Sequence, residues 1–442
     1  MSTRRQFLRR TGLATAALAL PLGPASRPGS PLRTPLRTPP AAAPLLPAPG
    51  RAPGEDFWED VAARYETTDR ITNLEGGYWG MMAAPVLDAF QRHTARVNRE
   101  NSFYARTQFN RDAEAVRERV AALLGVAPGE IAFSRNATEA LQALIGQYNR
   151  LETGETVMYA DLDYPAMQHA MNALAARRRA EVATLVIPEP AESAGQIVDA
   201  YAEAFDAHPR TRLLLVTHAN NKTGLIHPVG DITALARARG IDVIVDAAHS
   251  WGHVPFDVAG FGADYVGMNL HKWMGAPLGI GAMYIRAAGL AAIDRAHGDT
   301  GSLDAIDSRL HTGTTNFATT LTVNDALDFQ QSVGFENKYA RVRHLRDLWV
   351  REARTMDGVD ILTPEDPDLV GAITSFRLHG RTSGEENRAL VRTLAEEYGI
   401  FTVARTGIAG GDCIRVTPAL YNLPPDLEKL VAALRDLAAK RG

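Results

Sequence analysis

Residues 241–249, IDVIVDAAH, and residues 263–272, ADYVGMNLHK, indicate the fold class of this chain. Each segment opens with a short apolar run, which is typical of a strand buried on both faces of a sheet. Asp246 ends the first predicted strand, and Lys272 follows the second. Because α/β sheets bind ligands beyond the carboxyl ends of their strands, the acid and the lysine are expected to face one site.

A buried acid and a lysine on the same edge of a sheet are the pair that pyridoxal phosphate requires. The lysine amine forms a Schiff base with the cofactor aldehyde, and the carboxylate pairs with the pyridine nitrogen. Lysine suits this position because a desolvated amine loses its proton readily, which a guanidinium does not. Lys272 and Asp246 therefore predict a pyridoxal phosphate site.

Strand-like and helix-like segments alternate through most of the chain. This alternation predicts an α/β fold with a mostly parallel sheet that helices cover on both faces. A helix is predicted to end at Gly125, and others to begin at Ala137, at Pro165 and after Pro228. The other predicted strands are IAFS (131–134), TVMYA (156–160), ATLVI (183–187), LLLVTH (213–218) and GIGAMYIR (279–286).

The pattern changes from about Thr322, where long charged helices begin to dominate and only a few strands remain. A chain of 442 residues is long enough for two domains. We therefore predict a large domain over 55–321 and a smaller α+β C-terminal domain over 322–442. The N-terminal segment near 55–75 is expected to contribute to the smaller one.

The composition excludes several classes of protein. A formal net charge of -4 gives no reason to expect nucleic-acid binding. The single cysteine, Cys413, rules out an intramolecular disulfide framework and any site with several cysteine ligands. Hydrophobic residues at 45% and charged residues at 22% are ordinary for a soluble globular enzyme.

The first 25 residues are predicted to be an export signal. Arg4 and Arg5 precede Phe-Leu, which resembles a twin-arginine signal, and the apolar stretch 12–22 is too short for a stable membrane span. An uncleaved anchor and a chance arginine pair are the alternatives. Residues 26–54, rich in Pro and Ala, are predicted to be a disordered linker. We therefore expect a periplasmic or secreted protein, exported by the twin-arginine machinery.

Several polar residues follow the predicted strands. Ala137 and Thr138 open a helix, where free amides and a hydroxyl suit a phosphate, although Asn136 as a simple helix cap explains the same pattern. Tyr164 either stacks on the cofactor ring or belongs to the core. Asn221 either hydrogen-bonds the ligand or forms a turn.

Histidines flank the acid and the lysine. His249 lies three residues past Asp246 and is expected at the same edge of the cofactor ring. With His253 it forms a His-x-x-x-His spacing, but no helix and no third ligand are expected there, so no metal site is predicted. His271 precedes Lys272 and is expected to donate to the phosphate.

Two arginines of the C-terminal domain, Arg405 and Arg415, are candidate ligands for a substrate carboxylate. A guanidinium binds a carboxylate through two parallel hydrogen bonds. Either arginine is equally well explained by an ion pair at the surface or at an interface.

Together these residues resemble the class V aminotransferase family, which has fold type I of the pyridoxal phosphate enzymes. The nearest group is isopenicillin N epimerase-like and cysteine desulfurase-like. The resemblance covers about residues 73–430, and its most specific parts are Asp246-x-x-His249, His271-Lys272 and RVTPALYN (415–422). It implies pyridoxal 5'-phosphate as the cofactor and a mostly parallel seven-stranded sheet with helices on both faces. A smaller α+β C-terminal domain is implied as well.

The resemblance also implies roles for individual residues. Lys272 binds the cofactor aldehyde, Asp246 the pyridine nitrogen and His249 the ring oxygen. Tyr164 stacks on the ring, although many relatives have histidine there, and Arg415 holds the substrate carboxylate. The residues implied at the phosphate are Ala137, Thr138, Asn269 in place of the family's serine, His271, and Thr314 from the partner subunit of a homodimer.

The chain departs from the cysteine desulfurases at one position. Those enzymes carry a nucleophilic cysteine on a loop after an Arg-Thr-Gly motif, and Gly410 stands at that place here. Cys413 is expected to be a small buried hydrophobe in a strand. Chemistry that forms a persulfide on a cysteine is therefore not expected.

The predicted activity is aminotransfer on an amino acid or an amino-acid-derived metabolite. Epimerisation and Cα–Cβ or C–S cleavage remain alternatives, because all of these reactions share one carbanion at Cα. An alternative of another class is a non-catalytic exported binding protein on the same scaffold. The intact pair of Asp246 and Lys272 argues against it.

Overall fold

A computed structural model of the protein describes residues 53–440. The predicted export signal, residues 1–25, lies outside the described residues, as does nearly all of the predicted linker, residues 26–54. The first described helix begins at Glu55, where folded structure is predicted to begin.

Helices and strands alternate through the first two thirds of the described chain. The helices are α1 (Glu55–Ala62), α2 (Ala84–Thr107), α3 (Phe109–Leu124), α4 (Ala137–Gly146), α5 (Pro165–Arg178), α6 (Ala194–Ala207), α7 (Val229–Arg237), α8 (Phe317–Val333), α9 (Phe335–Ala353), α10 (Gly384–Tyr398) and α11 (Pro424–Ala439). The strands are β1 (Thr72–Asn73), β2 (Ile131–Ser134), β3 (Thr156–Ala160), β4 (Glu181–Leu185), β5 (Thr211–Thr217), β6 (Asp242–Ala247), β7 (Tyr265–Asn269), β8 (Gly281–Ile285), β9 (Val359–Ile361), β10 (Thr374–Leu378), β11 (Ile400–Phe401), β12 (Val403–Arg405) and β13 (Cys413–Val416). The predicted end of α3 is confirmed, because Gly125 follows it with a φ of 68°, a left-handed conformation that glycine adopts without strain.

A seven-stranded sheet with the order β2-β8-β7-β6-β5-β3-β4 forms the centre of the fold. The contacts β3–β4, β3–β5, β5–β6 and β6–β7 are parallel, and β8 runs antiparallel to both of its neighbours. The prediction of a mostly parallel seven-stranded sheet is therefore confirmed. The carboxyl ends of β5, β6 and β7 lie next to one another at one edge.

Both faces of this sheet are buried. Along β5, Leu213 and Leu215 pack into the apolar cluster on one face, and Leu214 and Val216 pack into the cluster on the other. All four side chains are fully buried. Burial on both faces explains why the strand sequences are continuous apolar runs rather than alternating ones.

The edge strand β4 begins and ends two residues earlier than the sequence predicts. The apolar run predicts residues 183–187, whereas the strand covers Glu181–Leu185. Three of its five residues are exposed, among them Val182 and Thr184. An edge strand with one open face does not need a continuous apolar run, so the run marks its position poorly.

A four-stranded antiparallel sheet with the order β12-β13-β10-β9 lies in the C-terminal part of the chain. The N-terminal strand β1 pairs in parallel with β11 of this part. The domain boundary between 321 and 322 stays a prediction, and α8 spans that position. Among residues 53–440, no helix combines the length and the apolar character needed to cross a membrane.

Candidate active site

A cavity of about 420 Å³ lies at the carboxyl ends of β5, β6 and β7, beside the amino end of α4. The structure brings together in its lining every predicted site residue except one, Thr314. These lining residues are Ala137, Thr138, Tyr164, Asn221, Asp246, His249, Asn269, His271, Lys272, Arg405 and Arg415.

Lys272 and Asp246 share this cavity, as the strand ends predict. Burial lowers the pKa of the Lys272 amine to about 7; the Asp246 carboxylate opposes this shift, and the charges of Arg415 and Arg405 add to it. Burial raises the pKa of the Asp246 carboxyl, which the Ala248 amide (N···Oδ1 2.9 Å) and the Lys272 charge oppose. The lysine amine is thus able to lose its proton near neutral pH.

His249 connects to the lysine. Its Nε2 lies 2.8 Å from Lys272 Nζ, and the indole Nε1 of Trp273 donates to its Nδ1 at 3.2 Å. Burial holds the pKa of His249 well below its usual range, and the charges of Lys272 and Arg415 lower it further. His249 is therefore a neutral imidazole in this site.

The amino end of α4 presents backbone donors to the cavity. Asn136 caps the helix by accepting from the Glu139 amide at 2.9 Å, and the side-chain oxygen of Asn269 accepts from the Ala137 amide at 2.8 Å. Among the described residues no hydrogen bond engages the Thr138 amide. The Thr138 amide, the Thr138 hydroxyl and the positive end of the α4 dipole suit a phosphate.

Two further polar groups line the cavity. Tyr164 precedes α5, and its side chain is partly exposed at the cavity wall. The side-chain oxygen of Asn221 is buried and has no hydrogen-bond partner among residues 53–440. His271 also lines the cavity, and its Nδ1 lies 2.9 Å from the Ile280 carbonyl oxygen.

Glu75 joins the two predicted substrate arginines and is a site residue that the sequence does not predict. Arg415, 1% exposed, donates to both carboxylate oxygens of Glu75 and from Nη1 to the Asn221 carbonyl at 2.8 Å. Arg405 makes one contact with Glu75, at 3.3 Å, and its Nε is buried with no partner in the described part of the chain. The only sequence signal for Glu75 is an acid among the apolar, aromatic and glycine residues of segment 74–80.

Thr314 and Cys413 lie outside the cavity lining. Thr314 is exposed in the loop before α8, so its predicted contact with a partner subunit's cofactor stays a prediction. Cys413 is fully buried, and burial raises the pKa of its thiol to about 12. A thiol in this environment is a poor nucleophile.

The spacing of His249 and His253 has a structural explanation. His253 Nδ1 lies 2.8 Å from the His249 carbonyl oxygen, and the Ala372 amide donates to His253 Nε2 at 2.7 Å. Both ring nitrogens of His253 are therefore engaged in hydrogen bonds. Within residues 53–440 no group of three or more His, Cys, Asp or Glu side chains is placed to hold a metal ion.

The cavity fits pyridoxal phosphate on observations of the chain itself. Asn221 Oδ1 and Arg405 Nε are buried polar atoms that have no partner within residues 53–440, and a polar ligand would satisfy them. The Thr138 amide, which no described residue engages, is a donor for a phosphate, and Asp246 is a buried acid for a protonated pyridine nitrogen. Lys272 is a buried amine within the same cavity.

The chain is similar to known proteins over most of its length. Residues 82–430 match the family model "Aminotransferase class-V". The chain is 28% identical to an isopenicillin N epimerase of Amycolatopsis lactamdurans, over 86% of this chain and 98% of that protein. It is 28% identical to a cysteine desulfurase of Cronobacter sakazakii, over 73% of this chain and 81% of that protein. A crystal structure of a cysteine desulfurase from Escherichia coli superimposes with a TM-score of 0.73 at 23% identity, covering 87% of this chain and 98% of that one.

Proposed function

The chain belongs to the class-V aminotransferase family, whose cofactor is pyridoxal phosphate, and from this premise we propose that it is an aminotransferase. Its substrate is an amino acid or an amino-acid-derived metabolite. The observation that carries the proposal is the Lys272 amine, whose pKa burial lowers to about 7, in one cavity with the buried acid Asp246.

Each part of the cavity has a separate task. When bound, pyridoxal phosphate supplies an aldehyde that reacts with amines and a ring that draws electrons from the substrate Cα. Asp246 would hold the pyridine nitrogen, and Thr138 at the start of α4 would hold the phosphate. The neutral Lys272 amine removes the Cα proton and returns it, because a base with a pKa near the working pH transfers protons in both directions.

Aminotransfer is favoured because it needs a single mobile base on one side of the substrate. Lys272 is the one lysine among the residues that line the cavity. Epimerisation is the second candidate, since isopenicillin N epimerases match this chain over nearly their whole length. Persulfide chemistry is disfavoured because the chain's single cysteine, Cys413, is fully buried.

A panel of amino acids separates these reactions. With an added 2-oxo acid such as pyruvate to take up the amino group, we expect aminotransfer to convert one of them to its own 2-oxo acid and the added acid to its amino acid, without ammonia release and without inversion at Cα. Inversion with uptake of solvent deuterium at Cα would replace the proposal by epimerisation, and release of ammonia or sulfide would replace it by a lyase. A yellow, borohydride-sensitive protein that converts no substrate would support a binding role instead.

The variant Lys272→Ala tests the assigned lysine in the same assay. We expect it to lose both product formation and the visible absorbance that borohydride abolishes, because no other lysine of the described part of the chain lines the cavity. Lys429→Ala, at an exposed lysine that contacts Thr72 and Gly399, is the matched control and should behave as wild type. Wild-type turnover by Lys272→Ala would contradict the assignment.

We also propose export by the twin-arginine route, on the sequence of residues 1–25. Replacing Arg4 and Arg5 with lysine is expected to retain the protein in the bacterial cytoplasm, because the receptor reads that pair. Replacing Arg9 and Arg10 with lysine keeps the charge of the head and should leave export unchanged. Cell fractionation measures both, and unimpaired export of the first variant would disprove the route.

A further inference from the structure

Three neighbouring side chains form a hydrogen-bonded row at the edge of the active site. The indole Nε1 of Trp273 donates to His249 Nδ1 at 3.2 Å, and His249 Nε2 lies 2.8 Å from Lys272 Nζ. His249 and Trp273 are both buried, 4% and 5% exposed, so water does not compete for these contacts. Trp273 directly follows Lys272 in the chain but does not line the cavity.

The donor at one end of this row determines where the proton of His249 lies. An indole N–H donates and cannot accept, so His249 Nδ1 must carry a lone pair. An imidazole cannot accept at both nitrogens without losing its last proton, so Nε2 carries the hydrogen. The side of His249 that faces Lys272 is therefore an N–H donor.

The ring of Trp273 is held by a stacking contact, and its backbone by a hydrogen bond from a lysine. His253 stacks on it with 4.0 Å between ring centroids and 11° between planes. His253 is itself fixed by the His249 carbonyl and the Ala372 amide. From α9, Lys338 Nζ donates to the Trp273 carbonyl oxygen and to the side-chain oxygen of Gln330.

We infer that Trp273 is a positioning residue that holds His249 as its neutral Nε2–H tautomer and thereby leaves Lys272 as the only base of the pair. His249 has no lone pair at Nε2 with which to take a proton. Its N–H requires a lone pair on the Lys272 amine, which only the neutral amine has. Trp273 thus favours the unprotonated form of the reactive lysine from a position behind the histidine.

The charges around His249 act in the same direction. Burial lowers the pKa of His249 most, and the charges of Arg415 and Arg405 lower it further, as would a proton on Lys272 or on His253. A proton on His249 Nδ1 would also make that nitrogen a donor, and it would then face a second donor, the Trp273 indole N–H. The consequence for the reaction rests on the proposed function, whereas the tautomer rests on the contacts of the chain alone.

The test is NMR spectroscopy of protein purified without cofactor and labelled with ¹⁵N at its histidines. Two-bond ¹H–¹⁵N correlations distinguish the two tautomers from the imidazolium, and His249→Asn identifies the signals of His249. We expect the Nε2–H tautomer at about pH 8, above the Lys272 pKa of about 7, where the amine carries the lone pair that this N–H requires. An Nδ1–H tautomer or an imidazolium in the wild type would overturn the inference.

Trp273→Phe removes the indole donor and keeps an aromatic ring against His253. We expect His249 in this variant to populate both tautomers and to titrate at a higher pH than in the wild type. Trp349→Phe is the matched control, because Trp349 is fully buried but its Nε1 has no partner in the described residues. It should leave the His249 signals unchanged.

An unchanged His249 tautomer and pKa in Trp273→Phe would also overturn the inference. If this variant does not fold, slow hydrogen exchange of the Trp273 indole N–H in the wild type decides whether that donor is engaged, and fast exchange would count against the inference. None of these measurements needs bound cofactor or turnover. A failure of the proposed aminotransfer therefore leaves their outcome unaffected.

Discussion

At the scale of single residues, the contacts of Glu75 distinguish the two arginines that are candidate ligands for a substrate carboxylate. Arg415 is 1% exposed and donates hydrogen bonds to Glu75 and to the Asn221 carbonyl. It therefore forms a buried ion pair that belongs to the fold. Arg405 is 25% exposed and holds Glu75 by one contact only. We therefore expect Arg405 to make the main contact with a substrate carboxylate, and Arg415 to act with it through Glu75.

Exchanging each arginine for glutamine separates the two roles. Arg405→Gln is expected to raise KM roughly tenfold to a hundredfold, because a hydrogen bond to a charged group contributes about 1.5–3 kcal/mol. Arg415→Gln leaves Glu75, whose side chain is 7% exposed, without its main partner, and should lower the free energy of unfolding by about 3 kcal/mol. Steady-state kinetics and urea unfolding measure the two effects. The reverse pattern, with stability lost in Arg405→Gln alone, would refute this division.

At the scale of elements, the amino end of α4 shows how the fold prepares a phosphate site. The side-chain oxygen of Asn136 accepts from the Glu139 amide, and the side-chain oxygen of Asn269, on β7, accepts from the Ala137 amide. These two side chains fix the first turn and leave the Thr138 amide for a ligand. From the sequence, the start of α4 is either a phosphate site or a helix that Asn136 simply caps. In the structure Asn136 both caps α4 and lines the cavity.

The capping residue therefore affects stability and cofactor affinity together. Asn136→Ala is expected to cost about 1 kcal/mol of unfolding free energy and to weaken pyridoxal phosphate binding roughly fivefold, because the first turn of α4 frays. Asn316→Ala, which removes the equivalent cap of α8 (Asn316 Oδ1 to the Thr319 amide, 3.3 Å), should lose similar stability only. Urea unfolding and absorbance titration with the cofactor test this. Equal cofactor affinity in both variants would show that α4 does not hold the phosphate.

At the scale of the whole molecule, we propose the homodimer that the family resemblance implies. Thr314 is exposed in the single chain and lies outside the cavity lining, which is where a residue serving a partner subunit is expected. The proposal therefore predicts that a complete site takes residues from two chains.

Mixed dimers test this sharing of the site. If Thr314 acts across the interface, a dimer of one Lys272→Ala chain and one Thr314→Ala chain contains one intact site, because the intact Lys272 and the intact Thr314 meet there. We expect cofactor affinity at that site to return to the wild-type value when the two inactive or weakened variants are refolded together. Sedimentation equilibrium confirms the dimer, and tandem affinity tags isolate the mixed form. Affinity that stays at the Thr314→Ala level would place the threonine in its own site or in none.

Much of the active site follows from the sequence because each of the strands that carry it is marked by its own local apolar run. Apolar runs mark β5, β6 and β7, parallel strands share one edge for their carboxyl ends, and the residues that follow them must meet there. Lys272, Asp246 and His249 are therefore predictable without coordinates. The edge strand β4 is predicted less well, because half of it faces solvent and needs no apolar run.

The sequence by itself determined the α/β class, the family and the identity of the lysine–acid pair. Only the tertiary structure decided which groups surround that pair: Glu75 meets Arg405 and Arg415 across 330 and 340 residues, and the Ala372 amide meets His253 across 119. Short-range patterns record propensity and burial, whereas a contact between distant segments depends on how whole elements pack. The ion pairs of Glu75 and the hydrogen bonds of His253 are set by such contacts.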